Sequence, residues 1–257
     1  MSIVQLRCPV TEVRKVAENV HVMSFEAPAV SQAVRAGQFL NIRVDDYTDP
    51  LLRRPFSVYR TAGSSVEIIF NVIGRGTASL SRKRSGDEID IIGPLGVPFS
   101  MSGNDFETGV MIAGGLGVAP LPLATAALVA SGKRVVTFLG ARSKKQLAVS
   151  HLKNLRLATD DGSEGYHGTV VDLAREGFGS GAITAPKIFA CGPTPMLRAV
   201  ARLALEMDIP CQVSLEGPMG CGMGICQGCP VELADGEKKY ALMCKDGPTF
   251  DIRKVIL

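Results

Sequence analysis

Histidine is scarce in this chain: only His21, His151 and His167 occur among 257 residues, in separate segments, and none is paired with a nucleophile. No hydrolase constellation can be assembled, and each histidine reads as a solvated or strand-end residue. Charge of one sign is also missing, since 28 basic and 25 acidic residues leave a formal charge of +3. So weak a field argues against nucleic acid or an anionic membrane as partner. The first twenty residues lack the apolar core of a signal peptide, because Arg7, Glu12, Arg14 and Lys15 interrupt them. The expected location is the cytoplasm. One uncharged stretch, Thr108 to Gly132, is long enough for a bilayer but is broken by Gly114, Gly115, Gly117, Pro120 and Pro122. It reads as a buried strand, a glycine turn and a buried helix rather than a membrane span. Repeats, low-complexity tracts and long linkers are absent too.

What remains is a packed globular chain, 46% hydrophobic, whose 28 glycines and 15 prolines signal many turns. Its length suits about two domains. Residues 1–103 carry five short β-rich runs, Val20–Phe25, Phe39–Val44, Phe56–Tyr59, Val66–Ile73 and Glu88–Ile92, with one short helix near Thr77. Such spacing predicts a small antiparallel β-barrel. Residues 104–213 alternate strands (Gly109–Ala113, Arg134–Leu139, Lys187–Ala190, Gln212–Leu215) with helical runs (Pro120–Ser131, Pro195–Met207). That rhythm predicts a Rossmann-like, parallel α/β nucleotide domain. Residues 214–257 are rich in glycine and cysteine with little periodicity, so something other than a hydrophobic core is expected to order them.

Four of the seven cysteines fall in that last segment, and clustered thiols in a reducing compartment are more often metal ligands than disulfides. Cys221, Cys226 and Cys229 followed by Cys244 give C-x4-C-x2-C…C, the plant-type spacing for a [2Fe–2S] cluster. Gly220, Gly222, Gly224 and Gly228 let the backbone curl so that amides can point at the sulfurs. A four-thiolate zinc site is the alternative, but it usually shows two C-x2-C knuckles and only one is present. Cys8, Cys191 and Cys211 are scattered and expected to be unligated.

Three further motifs suit nucleotides. Arg53-Arg54-Pro55-Phe56-Ser57 offers a guanidinium for a pyrophosphate, and an aromatic and a hydroxyl for a flat cofactor. Gly74-Arg-Gly76-Thr77 ends a strand and opens a helix, where glycine permits close approach and Thr77 is expected to cap. Gly114-Gly115-Leu-Gly117-Val-Ala-Pro120 makes a glycine turn between strand and helix, a dinucleotide pattern that departs from G-x-G-x-x-G; tight packing would look the same. Cys191-Gly192-Pro193-Thr-Pro-Met196 repeats the arrangement at another carboxyl edge. Asp160 and Asp161 could accept ribose hydroxyls and repel a 2′-phosphate, which leans toward NAD over NADP; Arg142, Lys144 and Lys145 lean the other way.

Arg54-Pro-Phe-Ser57, Gly74-x-Gly-Thr77, Gly114-Gly-x-Gly-x-Ala-Pro120 and Cys191-Gly-Pro-x-Pro-Met196 resemble, in that order, the flavin and nicotinamide motifs of the ferredoxin–NADP reductase superfamily. The carboxyl end, from Ser214-Leu-Glu216 through the cysteine loop to Cys244-Lys-Asp-Gly-Pro-x-Phe250, is similar to the electron-transfer subunits of NAD-dependent (class 1B) dihydroorotate dehydrogenases. This resemblance implies FAD in the barrel, NAD at the α/β sheet, and a separate FMN-containing catalytic subunit that oxidises dihydroorotate in pyrimidine biosynthesis, two copies of each chain assembling. It implies that Arg54, Pro55, Phe56 and Ser57 hold the flavin, Ile69, Phe70 and Asn71 line it, and Gly76 with Thr77 take its pyrophosphate. Gly115, Gly117, Asp160, Cys191, Gly192 and Pro193 would meet NAD, and Cys221, Cys226, Cys229 and Cys244 would ligate the cluster. No side-chain acid or base is required on this chain. Gly217-Pro218 departs from the polar or charged pair expected before Met219, at a surface facing the partner. The rival is an FAD/[2Fe–2S] NAD(P)H reductase subunit of another complex: a hydrogenase, a ferredoxin reductase or a bifurcating transhydrogenase.

Overall fold

The computed structural model describes residues 3–45, 49–103, 105–236 and 238–257. Its first part contains β1 (Val4–Ala17), β2 (Val20–Glu26), α1 (Pro28–Ala33), β3 (Phe39–Arg43), β4 (Arg54–Ala62), β5 (Ser65–Asn71), α2 (Arg75–Ser81) and β6 (Glu88–Leu95). The six strands close into an antiparallel barrel in the order β1-β2-β5-β4-β3-β6. One strand more is present than the sequence pattern predicts. In β1, Val4, Leu6, Cys8 and Val10 turn toward the barrel core and alternate with Gln5, Arg7, Pro9 and Thr11, which face water. The strand forms a hairpin with β2 and a ladder distant in sequence with β6. Inside the barrel Met23, Phe25, Leu40, Ile42, Ile68 and Phe70 pack together, all fully buried.

The second part holds β7 (Thr108–Gly114), α3 (Leu121–Ala130), β8 (Arg134–Ala141), β9 (Leu155–Thr159), β10 (Tyr166–His167), α4 (Val170–Gly179), β11 (Pro186–Cys191), α5 (Thr194–Glu206) and β12 (Cys211–Ser214). Helix α4 is not among the helical runs the sequence pattern predicts, although it is amphipathic, burying Val170, Val171, Ala174 and Phe178, and its start is capped: Thr169 Oγ1 accepts from the Asp172 amide at 3.2 Å. Strands run parallel in the order β10-β9-β8-β7-β11-β12, so the winding reverses between β7 and β11. That reversal opens a crevice at their carboxyl ends.

The last part adds β13 (Pro230–Glu232), β14 (Tyr240–Leu242), α6 (Met243–Asp246) and β15 (Thr249–Asp251). Strand β15 pairs antiparallel with β12 and becomes the edge of the seven-stranded sheet. Contrary to the expectation for this segment, it has an apolar core, in which Phe39 and Leu95 of the barrel meet Val231, Met243 and Phe250. Most of that core comes from the segment's own short strands and turns, which show no period in sequence, with Phe39 and Leu95 of the barrel completing it.

Barrel and sheet share a core as well. Val20, Val22, Tyr59 and Ile69 pack against Met111, Ala113, Leu121 and Phe189, while α4 and α5 cover the opposite sheet face. The two bodies are thereby held at a fixed angle around the space between them.

Candidate functional site

A cavity of about 540 Å³ lies where the three parts meet. Strand β4 supplies Arg54, Pro55, Phe56 and Ser57, and β5 supplies Ile69, Phe70 and Asn71. Phe56 and Phe70 meet edge to face, with centroids 5.9 Å apart. Arg54 Nη1 donates to the Leu52 carbonyl at 2.7 Å, which anchors the guanidinium at the rim. Gly74, Gly76 and Thr77 continue the wall. Thr77 stands at the third position of α2, not at its N-cap, and Oγ1 accepts from the Ile73 and Gly74 amides at 3.0 and 3.3 Å. It therefore caps by reaching back, a correction to the simple reading of the motif.

The remaining wall includes Leu116 and Ala119 of the glycine turn, Glu216, Met219 and Pro248 of the carboxyl-terminal segment, and Phe39, which stands in no motif. They are spread over some two hundred positions, and only folding collects them. Asn71 Oδ1 is buried without a partner among the described residues, although Asn71 lines the cavity. A planar heterocycle with N–H donors fits that acceptor, and the apolar floor fits its rings.

The two strand–turn–helix motifs meet in the crevice, but they divide the work. A Cβ on Gly117 would lie 2.1 Å from the Cys191 carbonyl oxygen, so glycine there serves the packing of one turn on the other. Gly115 instead lines a smaller cavity of about 250 Å³, with Glu18, Asn19, Gln146 and Ala148, that shares Asn71, Ile73 and Leu116 with the main one. Gly192 and Pro193 follow β11 at the same edge. Cys191 is fully buried and its thiol lies 3.7 Å from Glu216 Oε1. Burial pushes the Cys191 thiol well up, with the Glu216 charge adding to it. Desolvation in the recess likewise raises the Glu216 carboxyl, against a smaller opposing contribution from the Cys191 thiol. Asp160 stands outside both cavities, two strands from the crevice, at the end of β9, its amide bonded to the Ala141 carbonyl at 3.1 Å. Beside it Lys144 pairs with Glu164 at 2.7 Å.

Below Glu216 and Met219 the chain enters the cysteine loop. Cys229 and Cys244 bring their sulfurs within 3.2 Å, and the Cys226 amide donates to Cys221 Sγ at 3.4 Å. Met223 N–H also points at Cys221 Sγ (3.5 Å) and Gly224 N–H at Cys244 Sγ (3.1 Å). Burial pushes the Cys221 thiol up, but the amides of Cys226 and Met223 outweigh it and bring it down to about 6. Burial and the neighbouring Cys229 thiol push Cys244 up to about 12. Among the described residues no three His, Cys, Asp or Glu side chains converge as they would on a single ion. Two thiol pairs, Cys221 with Cys226 and Cys229 with Cys244, fit a two-iron centre better than one zinc.

A six-stranded barrel set against a doubly wound sheet, with a cavity at the switch point, defines an electron-transfer oxidoreductase of the ferredoxin-reductase type. A solved structure of an NADH-dependent reduced ferredoxin–NADP oxidoreductase, studied for flavin-based electron bifurcation, superposes with a TM-score of 0.85 and 31% identity, over 97% of this chain and 89% of that one. The ferredoxin reductase in carbazole 1,9a-dioxygenase shares the fold at a TM-score of 0.69 and 20% identity, over 82% of this chain and 68% of its own. Residues 216–256 match the iron–sulfur cluster binding domain of dihydroorotate dehydrogenase B. Over the whole length the chain is 34% identical to the dihydroorotate dehydrogenase B (NAD(+)) electron transfer subunit of Desulforamulus reducens, and 36% to that of Bacillus pumilus, covering 96% and 95% of both partners respectively. The chain belongs to this family of electron transfer subunits.

Proposed function

We propose that this chain carries electrons from an FMN-containing dihydroorotate dehydrogenase catalytic subunit to NAD+, by way of a [2Fe–2S] cluster and FAD, in pyrimidine biosynthesis. The observation that carries the reading is a juxtaposition: Glu216 and Met219 line the flavin-sized cavity, and Cys221, the first of four thiols, follows two residues on. FAD exchanges electrons in pairs with a nicotinamide and singly with an iron–sulfur centre, the chemistry these groups supply when bound.

The protein's own part is binding and orientation. Arg54 takes the pyrophosphate charge with Gly76 and Thr77, while Pro55, Phe56, Ser57, Ile69 and Phe70 exclude water from the rings and Asn71 accepts from their edge. Cys221, Cys226, Cys229 and Cys244 hold the cluster, and the loop amides offset its negative charge. NAD is received at the crevice by Gly115 and by the Gly192–Pro193 turn, with Gly117 and Cys191 fixing the shape of that turn pair. Asp160 favours NAD over NADP, and Glu164 neutralises Lys144, one of the cations that would attract a 2′-phosphate. Cys8, Cys191 and Cys211, outside the cluster set, are unpaired thiols, which suits the reducing cytoplasm. Among the described residues no helix is long and apolar enough to cross a membrane.

The test is anaerobic co-expression with an FMN-type catalytic subunit. We expect a coloured complex with two of each chain, iron and FAD on this one, and dihydroorotate-dependent NAD+ reduction that falls at least about tenfold in Cys226→Ser. Full activity in that variant removes the cluster from the route. The match to the bifurcating oxidoreductase favours one second reading, a subunit of a ferredoxin-linked transhydrogenase. It is supported instead if dihydroorotate is inert and reduced ferredoxin drives pyridine-nucleotide reduction.

A further inference from the structure

Asn41 belongs to none of the motifs that the flavin, nucleotide and cluster sites absorb. It sits on β3 opposite Pro55 of the flavin-binding strand, and it is 1% exposed. Its side chain leaves the barrel and reaches the cysteine loop, where Nδ2 donates to the Cys221 carbonyl at 2.9 Å. Oδ1 is buried with no partner among the described residues. Burying an unsatisfied acceptor is destabilising, so barrel stability alone gives no reason to keep an amide here in place of a leucine. The loop is shaped around it: Gly222 has φ +74°, and a Cβ there would lie 2.7 Å from Asn41 Nδ2. On its other side the strand is braced. Arg53 Nη1 donates to the Asn41 carbonyl at 3.4 Å, and the same guanidinium pairs with Asp90 at 2.8 Å.

A peptide unit is planar, so drawing the Cys221 carbonyl toward the barrel turns the amide of that unit the opposite way. It also fixes the entry to the turn in which Met223 and Cys226 N–H groups donate to Cys221 Sγ. Hydrogen bonds to cluster sulfurs are among the main settings of an iron–sulfur potential. We propose that Asn41 is a positioning residue for the cluster: through the Cys221 carbonyl it keeps the loop amides on the Cys221 sulfur and ties that ligand to the strand beside the flavin. This rests on reading the loop as a [2Fe–2S] site.

The experiment uses the full chain, purified anaerobically with both cofactors, and compares it with Asn41→Leu. The readouts are the EPR spectrum of the dithionite-reduced cluster and the separate midpoint potentials of cluster and FAD. Loss of the anchor weakens the amide–sulfur bonds, so the ratio of reduced to oxidised cluster at a fixed ambient potential falls about tenfold, a shift of about 59 mV to more negative potential for a one-electron centre. The g values move with it, and the FAD potential does not. Gly222→Ala pushes a methyl into the Asn41 amide and shifts the cluster in the same direction; it decides the matter if Asn41→Leu fails to load. Unchanged EPR and potential in a loaded variant, or an equal shift at the flavin, overturns the assignment. A parent protein without iron sinks the cluster reading and this inference together, whereas a loaded parent with unmoved variants sinks only the role of Asn41.

Discussion

Glu67 is a carboxylate kept charged inside a barrel wall. It is 7% exposed, and Arg60 contacts it twice, through Nε at 2.9 Å and Nη2 at 3.1 Å, with Ser24 adding a third bond. Burial by itself would raise its pKa, but the Arg60 pairing prevails and the carboxyl is held below its ordinary value. A carboxyl depressed in the fold stabilises above the unfolded pKa, about 4.3, and loses that contribution as pH falls through the lower folded value. Glu67→Gln is therefore expected to cost about 1–3 kcal/mol at pH 7, less than for a fully buried pair because Arg60 is a third exposed. Urea unfolding of both proteins at pH 7 and again near pH 3 checks this, since the gap should shrink in acid. Gly117→Ala probes a close approach instead: with the new Cβ 2.1 Å from the Cys191 carbonyl, a loss of at least about 1–3 kcal/mol is expected, together with weakened NAD binding. Thermal unfolding and NAD titration measure the two effects. That glycine stands in the sequence motif for a nucleotide site, yet its use is in packing, a distinction spacing cannot carry.

At the scale of elements, β15 decides how the cysteine segment is held. Three residues long, it joins β12 and inserts Phe250 into the small core with Phe39 and Leu95. Phe250→Ala should cost about 3–5 kcal/mol and loosen residues 214–257 ahead of the barrel. Hydrogen exchange mapped along the chain tests this; uniform loss of protection would contradict it. Strands β2 to β8 and helices α3 and α5 were legible in the sequence as β-rich or continuous apolar runs bounded by turn residues, with a clear helical period in α5. Strand β1 and helix α4 also carry patterns of their own, alternation and a helical face, but lie outside the predicted runs, whereas β15, three residues long, depends on its neighbours. The same holds inside the cavity. Arg54 to Ser57, the four cysteines, Leu116 and Pro248 stand in recognisable motifs, whereas Phe39 reaches the wall from a barrel strand that no motif marks.

The molecule as a whole behaves as one body because its cores are shared across the parts that sequence suggests. Val20, Tyr59 and Ile69 of the barrel pack against the sheet, and Tyr59 also donates to the Ser150 carbonyl at 3.2 Å. The cavity draws walls from all three parts. A ligand there binds the assembled form only, so FAD at 100 times its Kd should stabilise the fold by about 2.7 kcal/mol in a single transition. Calorimetry with and without added FAD tests this; two transitions, only one of them moved by FAD, would show the barrel to be an independent unit.

By itself the sequence determined the chemistry on offer: which thiols are spaced for two irons, which arginine, aromatic and glycines suit a dinucleotide, and which segments are barrel or sheet. These are short-range properties of a chain, set by side-chain type and by periods of two or 3.6 residues. It took the folded chain to set where those groups face, to put Glu216 and Met219, just ahead of the cysteine loop, on the wall of the flavin-sized cavity, and to bring Asn41 across from the barrel to Cys221. The last of these joins residues 180 positions apart, and the geometry comes from packed cores that no local pattern encodes.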